Sequence, residues 1–119
     1  MLSMKRIDKP WGYELIFAET EHYIGKILFI VRGKRLSLQF HKKKDETIFL
    51  FKGKMLLEVS SKSEPEILES KVMKQGEAHR IVPGTIHRFH ALENCEIFEV
   101  STTESDDIIR LKDDYGRVV

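Results

Sequence analysis

Residues 33–53, GKRLSLQFHKKKDETIFLFKG, decide the fold and carry most of the functional signal. Its ligand-type side chains and bounding glycines follow in the order Gly33, five residues, Gln39, one residue, His41, four residues, Glu46, six residues, Gly53. Residues two apart on a β-strand face the same side, so Gln39 and His41 project together. A turn at 42–45 then lets Glu46 open the returning strand. An amide oxygen, an imidazole nitrogen and a carboxylate suit Zn, Mn, Fe, Ni or Co, and they do not select among these metals.

A second short segment, Pro83-Gly84-Thr85-Ile86-His87, offers a fourth ligand through its histidine. Polar side chains on an otherwise apolar inner face need partners, because an unpaired buried polar group costs about 1–3 kcal/mol. A single metal ion would satisfy all of these groups at once. We therefore predict one divalent transition metal, with the ligands Gln39, His41, Glu46 and His87.

The composition favours one globular domain, and we assign residues 1–119 to it. Hydrophobic residues make up 41% of the chain, and 20 basic residues balance 19 acidic ones for a net charge of +1. This balance gives no support for nucleic-acid or membrane binding. The N-terminus lacks an apolar signal region, and no apolar run approaches the length of a membrane span, so a cytoplasmic location is expected. The single cysteine, Cys95, is expected to be a packed thiol.

Strand-forming runs dominate the chain, and turns rich in glycine and proline separate them. The predicted strands are 13–17, 24–31, 36–41, 47–51, 55–60, 67–72, 79–82, 87–92 and 97–101. Short strands at such regular spacing indicate an all-β sandwich or barrel with a cavity at one mouth. Residues 60–66 are predicted to form a hairpin tip. In the tail, Asp106-Asp107 precede Ile108-Ile109-Arg110, which predicts one short helical turn.

The two motifs resemble those of the cupin superfamily. The first cupin motif reads Gly, five residues, His, one residue, His, three or four residues, Glu, six residues, Gly, and this chain departs from it only by a glutamine at the first histidine. In the second motif, Gly76, Gly84 and His87 fit, whereas Val82 and Ala91 replace its proline and asparagine. The resemblance implies an all-β cupin double-stranded β-helix, that is, a jelly-roll barrel.

The glutamine narrows the resemblance to one family. Segments 9–14, 37–41, 106–110 and 114–117 are similar to the type II mannose-6-phosphate isomerase cupin domain, and the similarity runs nearly end to end. In bifunctional members this domain follows a sugar-nucleotide transferase domain with a glycine-rich nucleotide loop. This chain has no such loop, so transferase activity is not implied.

Several further side chains are candidates for binding a sugar phosphate. If the ligand-bearing strand alternates regularly, Arg35 and Ser37 share its inward face, where they would bind substrate or form a polar lining. The resemblance places Arg110 near the active site, where it would clamp a phosphate; the alternative is an ion pair with a neighbouring aspartate. Lys26 is a second candidate for the phosphate. The lysines at 42–44 favour a solvated turn over an anion site.

The leading hypothesis is an aldose–ketose isomerase that acts on a phosphorylated sugar such as mannose 6-phosphate. This reaction moves a proton between C1 and C2 through an enediol, and it needs a Lewis acid, a general base and a cationic clamp. Glu99 and His79 are the nominees for the base.

Two other function classes remain open. One is a cupin that binds a sugar or another small ligand without chemistry, and the other is a metal-dependent oxygenase or decarboxylase. The glutamine makes the three-His-one-Glu set of such oxygenases incomplete, so this class ranks last. Barrel cupins commonly pair through exposed edges or exchanged N-terminal strands, so a homodimer is expected, with segment 24–31 as a candidate contact.

Overall fold

The computed structural model describes residues 4–60, 67–104 and 106–118. Within them the chain forms eleven β-strands: β1 (Lys5–Lys9), β2 (Gly12–Glu19), β3 (Ile24–Ile30), β4 (Leu38–Phe40), β5 (Glu46–Lys52), β6 (Lys54–Ser60), β7 (Leu68–Lys74), β8 (Ala78–Ile81), β9 (His87–Ala91), β10 (Cys95–Ser101) and β11 (Ile109–Lys112). No helix occurs in this part of the chain, and hence none long and apolar enough to cross a membrane. The all-β prediction is confirmed.

The strands form two antiparallel sheets that enclose the core. One sheet has six strands in the order β1-β2-β3-β10-β5-β8, and the other has five in the order β11-β4-β9-β6-β7. Alternate residues of each central strand point inward, as in β10, where Cys95, Ile97, Glu99 and Ser101 are all buried. The apolar cluster between the sheets draws on both of them, through residues such as Ile48 and Leu57, which are fully buried.

The motif glycine at position 53 is required by the turn between β5 and β6. Its φ of 98° lies in the left-handed region, which side chains disfavour. A Cβ built there would lie 2.4 Å from the Asn94 carbonyl oxygen, which is far inside van der Waals contact. Both backbone conformation and close packing therefore select glycine.

The predicted helical turn in the tail is wrong, because residues Ile109–Lys112 form strand β11 instead. Ile109 pairs with Phe40, and Arg110 pairs with Gln39, so the tail adds a strand to the edge of the five-stranded sheet. The ladder to β4 satisfies backbone groups that an isolated helical turn would leave unpaired. Most of the predicted hairpin tip, residues 61–66, lies outside the described residues.

Two further elements differ from expectation. Strand β1 was not predicted, since Lys5, Arg6 and Asp8 leave it without an apolar face; it forms an edge of the six-stranded sheet by pairing with β2. The predicted strand 36–41 is regular only from Leu38 to Phe40, and Arg35 makes an isolated bridge to His90.

Candidate metal centre and binding cavity

Three predicted ligands meet at one end of the space between the sheets. His41 directly follows β4, Glu46 opens β5 and His87 opens β9. All three residues are buried, and one ligand atom from each lies within 4.8 Å of the others. Glu46 Oε1 is 3.5 Å from His41 Nε2 and 3.3 Å from His87 Nε2. The end of β4 and the starts of β5 and β9 thus bring together side chains that are up to 46 positions apart in the sequence.

Both imidazoles present a lone pair to this point. His41 Nδ1 contacts the main-chain oxygen of Asp107 at 2.5 Å, and His87 Nδ1 contacts that of Thr85 at 2.8 Å. A carbonyl oxygen only accepts, so each Nδ1 carries the hydrogen and each neutral ring leaves Nε2 bare. Both Nε2 atoms are buried without a hydrogen-bond partner in the structure.

The arrangement fits a metal cation. Two bare imidazole nitrogens and a carboxylate oxygen converge with no hydrogen between them, which is unfavourable in a buried site unless a cation sits among them. Burial by itself raises the pKa of Glu46, but the Lys44 ammonium, 3.2 Å from its Oε2, opposes this and favours the ionised carboxylate. The site therefore keeps Glu46 ionised, as a metal ligand must be.

Gln39 lies beside this cluster. It is opposite His87 in the β4–β9 ladder, so the two side chains share a face, and it lines the adjoining cavity. Its Oε1 accepts a hydrogen bond of 2.6 Å from the Ser37 hydroxyl. Ser37 is buried and thus supports Gln39 from behind. Coordination by Gln39 stays a prediction.

Lys44 is a central residue of the site, and the prediction that this lysine belongs to a solvated turn is wrong. Its side chain is buried, and its Nζ lies 3.2 Å from Glu46 Oε2 and 3.2 Å from Glu99 Oε2. Burial opposes the ammonium, but the two carboxylates raise the pKa of Lys44 above its ordinary value. Lys42 and Lys43 are exposed as expected.

Glu99 faces the cavity from β10, as anticipated. Burial and the carboxylate of Glu46 raise the pKa of Glu99 to about 8, against the opposing effect of Lys44. Glu99 is thus a buried carboxyl group that lies beside the metal cluster and lines the same cavity.

An open cavity of about 270 Å³ adjoins the cluster. The polar side chains among its lining are Lys5, Lys9, Glu14, Glu19, Lys26, Gln39, His41, Lys44, Glu46, Glu99, Asp106, Arg110 and Arg117. The apolar lining includes Trp11, Leu28, Leu36 and Phe89. A polar cavity with one apolar wall suits a sugar, which presents hydroxyls at its rim and C–H groups on its faces.

Four of the cations that line this cavity, Lys9, Lys26, Arg110 and Arg117, are contributed by β1, β3 and the tail. Burial lowers the pKa of Lys9, and Lys26, Arg110 and Arg117 lower it further, against the influence of Glu14. Lys26 has a partner in Glu14 at 3.4 Å, and Arg117 is paired with Asp113. Arg110 Nε is buried without a hydrogen-bond partner in the structure. Because these cations repel one another, an anion bound between them would be stabilised.

Two other candidates lie away from the cavity. The inward orientation expected for Arg35 is wrong: this side chain is part-exposed and makes a bidentate ion pair with Asp114, at 2.5 and 2.8 Å. The regular strand begins only at Leu38, so the alternation that was counted back to Arg35 does not hold there. His79 is half-buried on β8 opposite Ile48, and it does not line the cavity.

Comparisons with known proteins agree with this architecture. Residues 2–113 match the family described as mannose-6-phosphate isomerase C-terminal. The chain is 28% identical over 120 residues to mannose-1-phosphate guanylyltransferase ManC of Salmonella typhimurium. That match covers 96% of this chain but only 23% of the enzyme, so the chain spans about a quarter of that protein's length.

Similar solved structures share the fold at low sequence identity. KdgF from Halomonas sp. superposes with a TM-score of 0.74 at 19% identity, covering 86% of this chain and 90% of that one. Oxalate decarboxylase from Bacillus subtilis superposes with a TM-score of 0.79 at 15% identity, covering 91% of this chain and 30% of that one. These likenesses establish the jelly-roll cupin fold. With the match over residues 2–113, the chain belongs to the mannose-6-phosphate isomerase C-terminal family of cupins.

Proposed function

We propose that this protein is a metal-dependent aldose–ketose isomerase acting on a phosphorylated sugar, with mannose 6-phosphate and fructose 6-phosphate as the first pair to test. The observation that carries the proposal is the convergence of His41 Nε2, His87 Nε2 and Glu46 Oε1 beside an open polar cavity. Family membership supports the choice of sugar, and the cations of the cavity support the phosphate.

The metal would be held by His41, Glu46 and His87, with Gln39 as the fourth protein ligand. One divalent transition metal, of the group Zn, Mn, Fe, Ni or Co, fits this nitrogen and oxygen set. When bound, it supplies a Lewis acid for the oxygens on C1 and C2 of the sugar. The bare Nε2 atoms and the ionised Glu46 are the features of this chain that support the assignment.

Glu99 is the residue we nominate to move the proton between C2 and C1. It lies in the same cavity as the metal cluster, and it is close enough to Lys44 for an ion pair at 3.2 Å. Taking the proton from one carbon and returning it to the other requires one positioned carboxyl group. His79 lacks that position, since it does not line the cavity. Lys44 would hold Glu99 and Glu46 at a fixed separation.

The phosphate would bind at the cationic part of the cavity. Arg110 and Lys26 are the expected residues, and Lys9 and Arg117 line the cavity together with them. Arg110 is the strongest of these because its buried Nε has no partner among the described residues. An arginine fork binds phosphate oxygens through two parallel hydrogen bonds.

The test is interconversion of mannose 6-phosphate and fructose 6-phosphate by protein loaded in turn with each candidate metal. We expect turnover that His41→Ala abolishes, and a KM that Arg110→Gln raises by about tenfold or more. Arg35→Gln is the matched control, because that arginine pairs with Asp114 outside the cavity. Turnover at background level with every metal, or equal effects of the two arginine variants, would contradict the proposal.

A sugar-binding protein without catalysis is the second candidate. The observation in its favour is that Glu99 already contacts Lys44, which holds the nominated base in an ion pair. A thermal-shift screen of sugar phosphates and nucleotide sugars separates the two: binding without turnover indicates the binding protein. The oxygenase or decarboxylase class is tested by oxygen uptake on small carboxylic acids, and its support here is only the shared fold.

We also infer a homodimer, although not through the whole of segment 24–31. Alternate residues of that segment, Ile24, Leu28 and Ile30, are buried in the protein's own core. Only the opposite side of β3 is available, and it belongs to the outer face of the six-stranded sheet. That outer face is apolar and aromatic, and includes Tyr13, Phe17, Phe29, Phe49, Phe51, Phe98 and Val100.

A second copy is the partner that this outer face suits. Two charge pairs beside it are internal to the chain, Arg6 with Asp8 and Arg80 with Asp45, which reduces the repulsion between two copies. Contiguous exposed apolar patches mark protein–protein contacts, and a standard contact buries roughly 800 Å² per copy. We expect light scattering to give a dimer that Phe51→Glu dissociates, while Val72→Glu, on the other sheet, leaves it intact. A monomer at every concentration would contradict this.

The remaining assignments are predictions from composition. A single domain over residues 1–119 predicts one cooperative unfolding transition, and a balanced net charge of +1 supports a chain without nucleic-acid or membrane partners. Fractionation of the native host tests the proposed cytoplasmic location.

A further inference from the structure

Asp107 makes contacts to the metal site through both its main chain and its side chain. Its carbonyl oxygen accepts from His41 Nδ1. Its carboxylate accepts from three successive backbone N–H groups, at 3.0 Å from Lys42, 2.6 Å from Lys43 and 3.0 Å from Lys44. Asp107 lies more than 60 positions after these residues, so the contacts dock the tail against the motif.

The turn that Asp107 closes has a functional side chain at its end. Backbone N–H groups of residues 42–44 point to one carboxylate, which fixes the path of the chain between His41 and Glu46. Lys44 leaves this turn with its Nζ between Glu46 and Glu99. A change in the turn would therefore move the ammonium that holds both carboxylates.

The tail that Asp107 docks also contributes to the cavity. Ile108 and Arg110, which follow it directly, line the cavity, and Arg110 pairs with Gln39 in the β11–β4 ladder. The other end of the tail is held separately, through Asp114 and Arg35 on the surface. Asp107 is thus the contact nearest to the metal cluster.

We infer that Asp107 is a positioning residue that assembles the metal site and the cationic part of the cavity together. Its carbonyl keeps the His41 hydrogen on Nδ1, so that Nε2 faces the metal, and its carboxylate holds the turn that carries Lys44. The inference rests on the proposed metal site. It assigns no chemistry to Asp107, which does not line the cavity.

Asp107→Asn tests the role at nearly constant shape. The two carboxylate oxygens accept three N–H bonds, so an amide places its own N–H₂ donor against at least one backbone N–H. We expect the affinity for Zn²⁺, measured by competition with a chromophoric chelator, to fall about 10–100-fold, as is usual when an outer contact that orients a metal ligand is lost, because the weakened turn no longer holds the Asp107 carbonyl against His41. Asp114→Asn, the matched control on the same tail, is expected to stay within about twofold of the wild type.

A second measurement needs neither metal nor substrate. Long-range ¹⁵N correlation spectra of the apo wild type are expected to show His41 protonated on Nδ1, and Asp107→Asn is expected to lose this single tautomer. The inference is overturned if wild-type His41 carries its hydrogen on Nε2, or if both aspartate variants weaken Zn²⁺ binding equally. Neither readout depends on isomerase activity, so a protein that fails the mannose 6-phosphate assay still tests it. If Asp107→Asn does not fold, the wild-type spectrum alone tests the inference, through the position of the hydrogen on His41.

Discussion

Replacing Lys44 by methionine removes the only cation that touches both Glu46 and Glu99 in the described part of the chain. All three side chains are at most 7% exposed, and each Nζ–oxygen distance is 3.2 Å. At an effective dielectric constant of about 20, a fully charged pair at this distance is worth roughly 5 kcal/mol before desolvation is counted. Glu99, whose pKa is raised to about 8, is mostly protonated at neutral pH, so the charge left uncompensated when the cation is lost is mainly that of Glu46.

We therefore expect Lys44→Met to lower the free energy of unfolding of the metal-free protein by about 3 kcal/mol, at the lower end for a broken buried pair. For a domain of this size the midpoint temperature would fall by roughly 10–15 °C. Urea unfolding of chelator-treated protein measures the first quantity, and calorimetry measures the second. The methionine is close to lysine in length, so the packing of the stem is largely kept.

The matched control is a double variant, Lys44→Met with Glu46→Gln. Removing the stranded charge is expected to restore at least about half of the lost stability, because the remaining groups are then neutral. A loss below about 1 kcal/mol in the single variant would refute the reasoning, as would a double variant that is no more stable than the single one.

Three other perturbations follow from the fold and the tail. Gly53→Ala is expected to destabilise by more than about 1 kcal/mol in urea unfolding, because φ is 98° and the new Cβ would lie 2.4 Å from Asn94 O; an unchanged midpoint would contradict the packing. Ile48→Ala, at a fully buried position between the sheets, is expected to cost about 2–5 kcal/mol in the same assay, and a cost below about 1 kcal/mol would be inconsistent with that burial. The hydrogen bonds from Arg117 lower the pKa of Asp113 to about 2, so the contribution of Asp113 to the free energy of unfolding is complete above pH 4 and is lost as the pH falls toward 2. Asp113→Asn should therefore make the free energy of unfolding depend less on pH over that interval. A pH dependence equal to that of the wild type would exclude the effect.

The strands and the metal cluster were accessible to sequence reasoning because both depend on local spacing. The period of two placed Gln39 and His41 on one face. Glu99 was nominated from its place in a strand-forming run, and it is buried on β10. The same rule gave a wrong orientation for Arg35, since the rule holds only inside a regular strand and β4 begins at Leu38. His87 was predicted from the second motif, and the structure places it opposite Gln39 in the β4–β9 ladder.

What the sequence did not reveal depends on contacts between distant segments. Residues 42–44 look like a solvated run of charge, and nothing within the run distinguishes Lys44, whose partners are on β5 and β10. The tail looked helical because its own residues allow it, but pairing with β4 decides its conformation. Lys9 reaches the cavity only because β1 pairs with β2 at the edge of the six-stranded sheet.

The protein's own contacts hold the candidate metal ligands together, and this has a measurable consequence. His41 and His87 are held from behind by main-chain oxygens, and Glu46 is held by Lys44, so the three acceptors stay together although they do not bond to one another. A bound metal cation relieves the unfavourable proximity, which links metal affinity to stability. Saturation at about 100 times the dissociation constant should raise the free energy of unfolding by about 2.7 kcal/mol. His87→Ala should abolish that increase. Because it removes one of the crowded acceptors, it should lower the free energy of unfolding less in the metal-free protein than in the metal-loaded one. A metal-free wild type that is as stable as the saturated protein would show that no metal binds here.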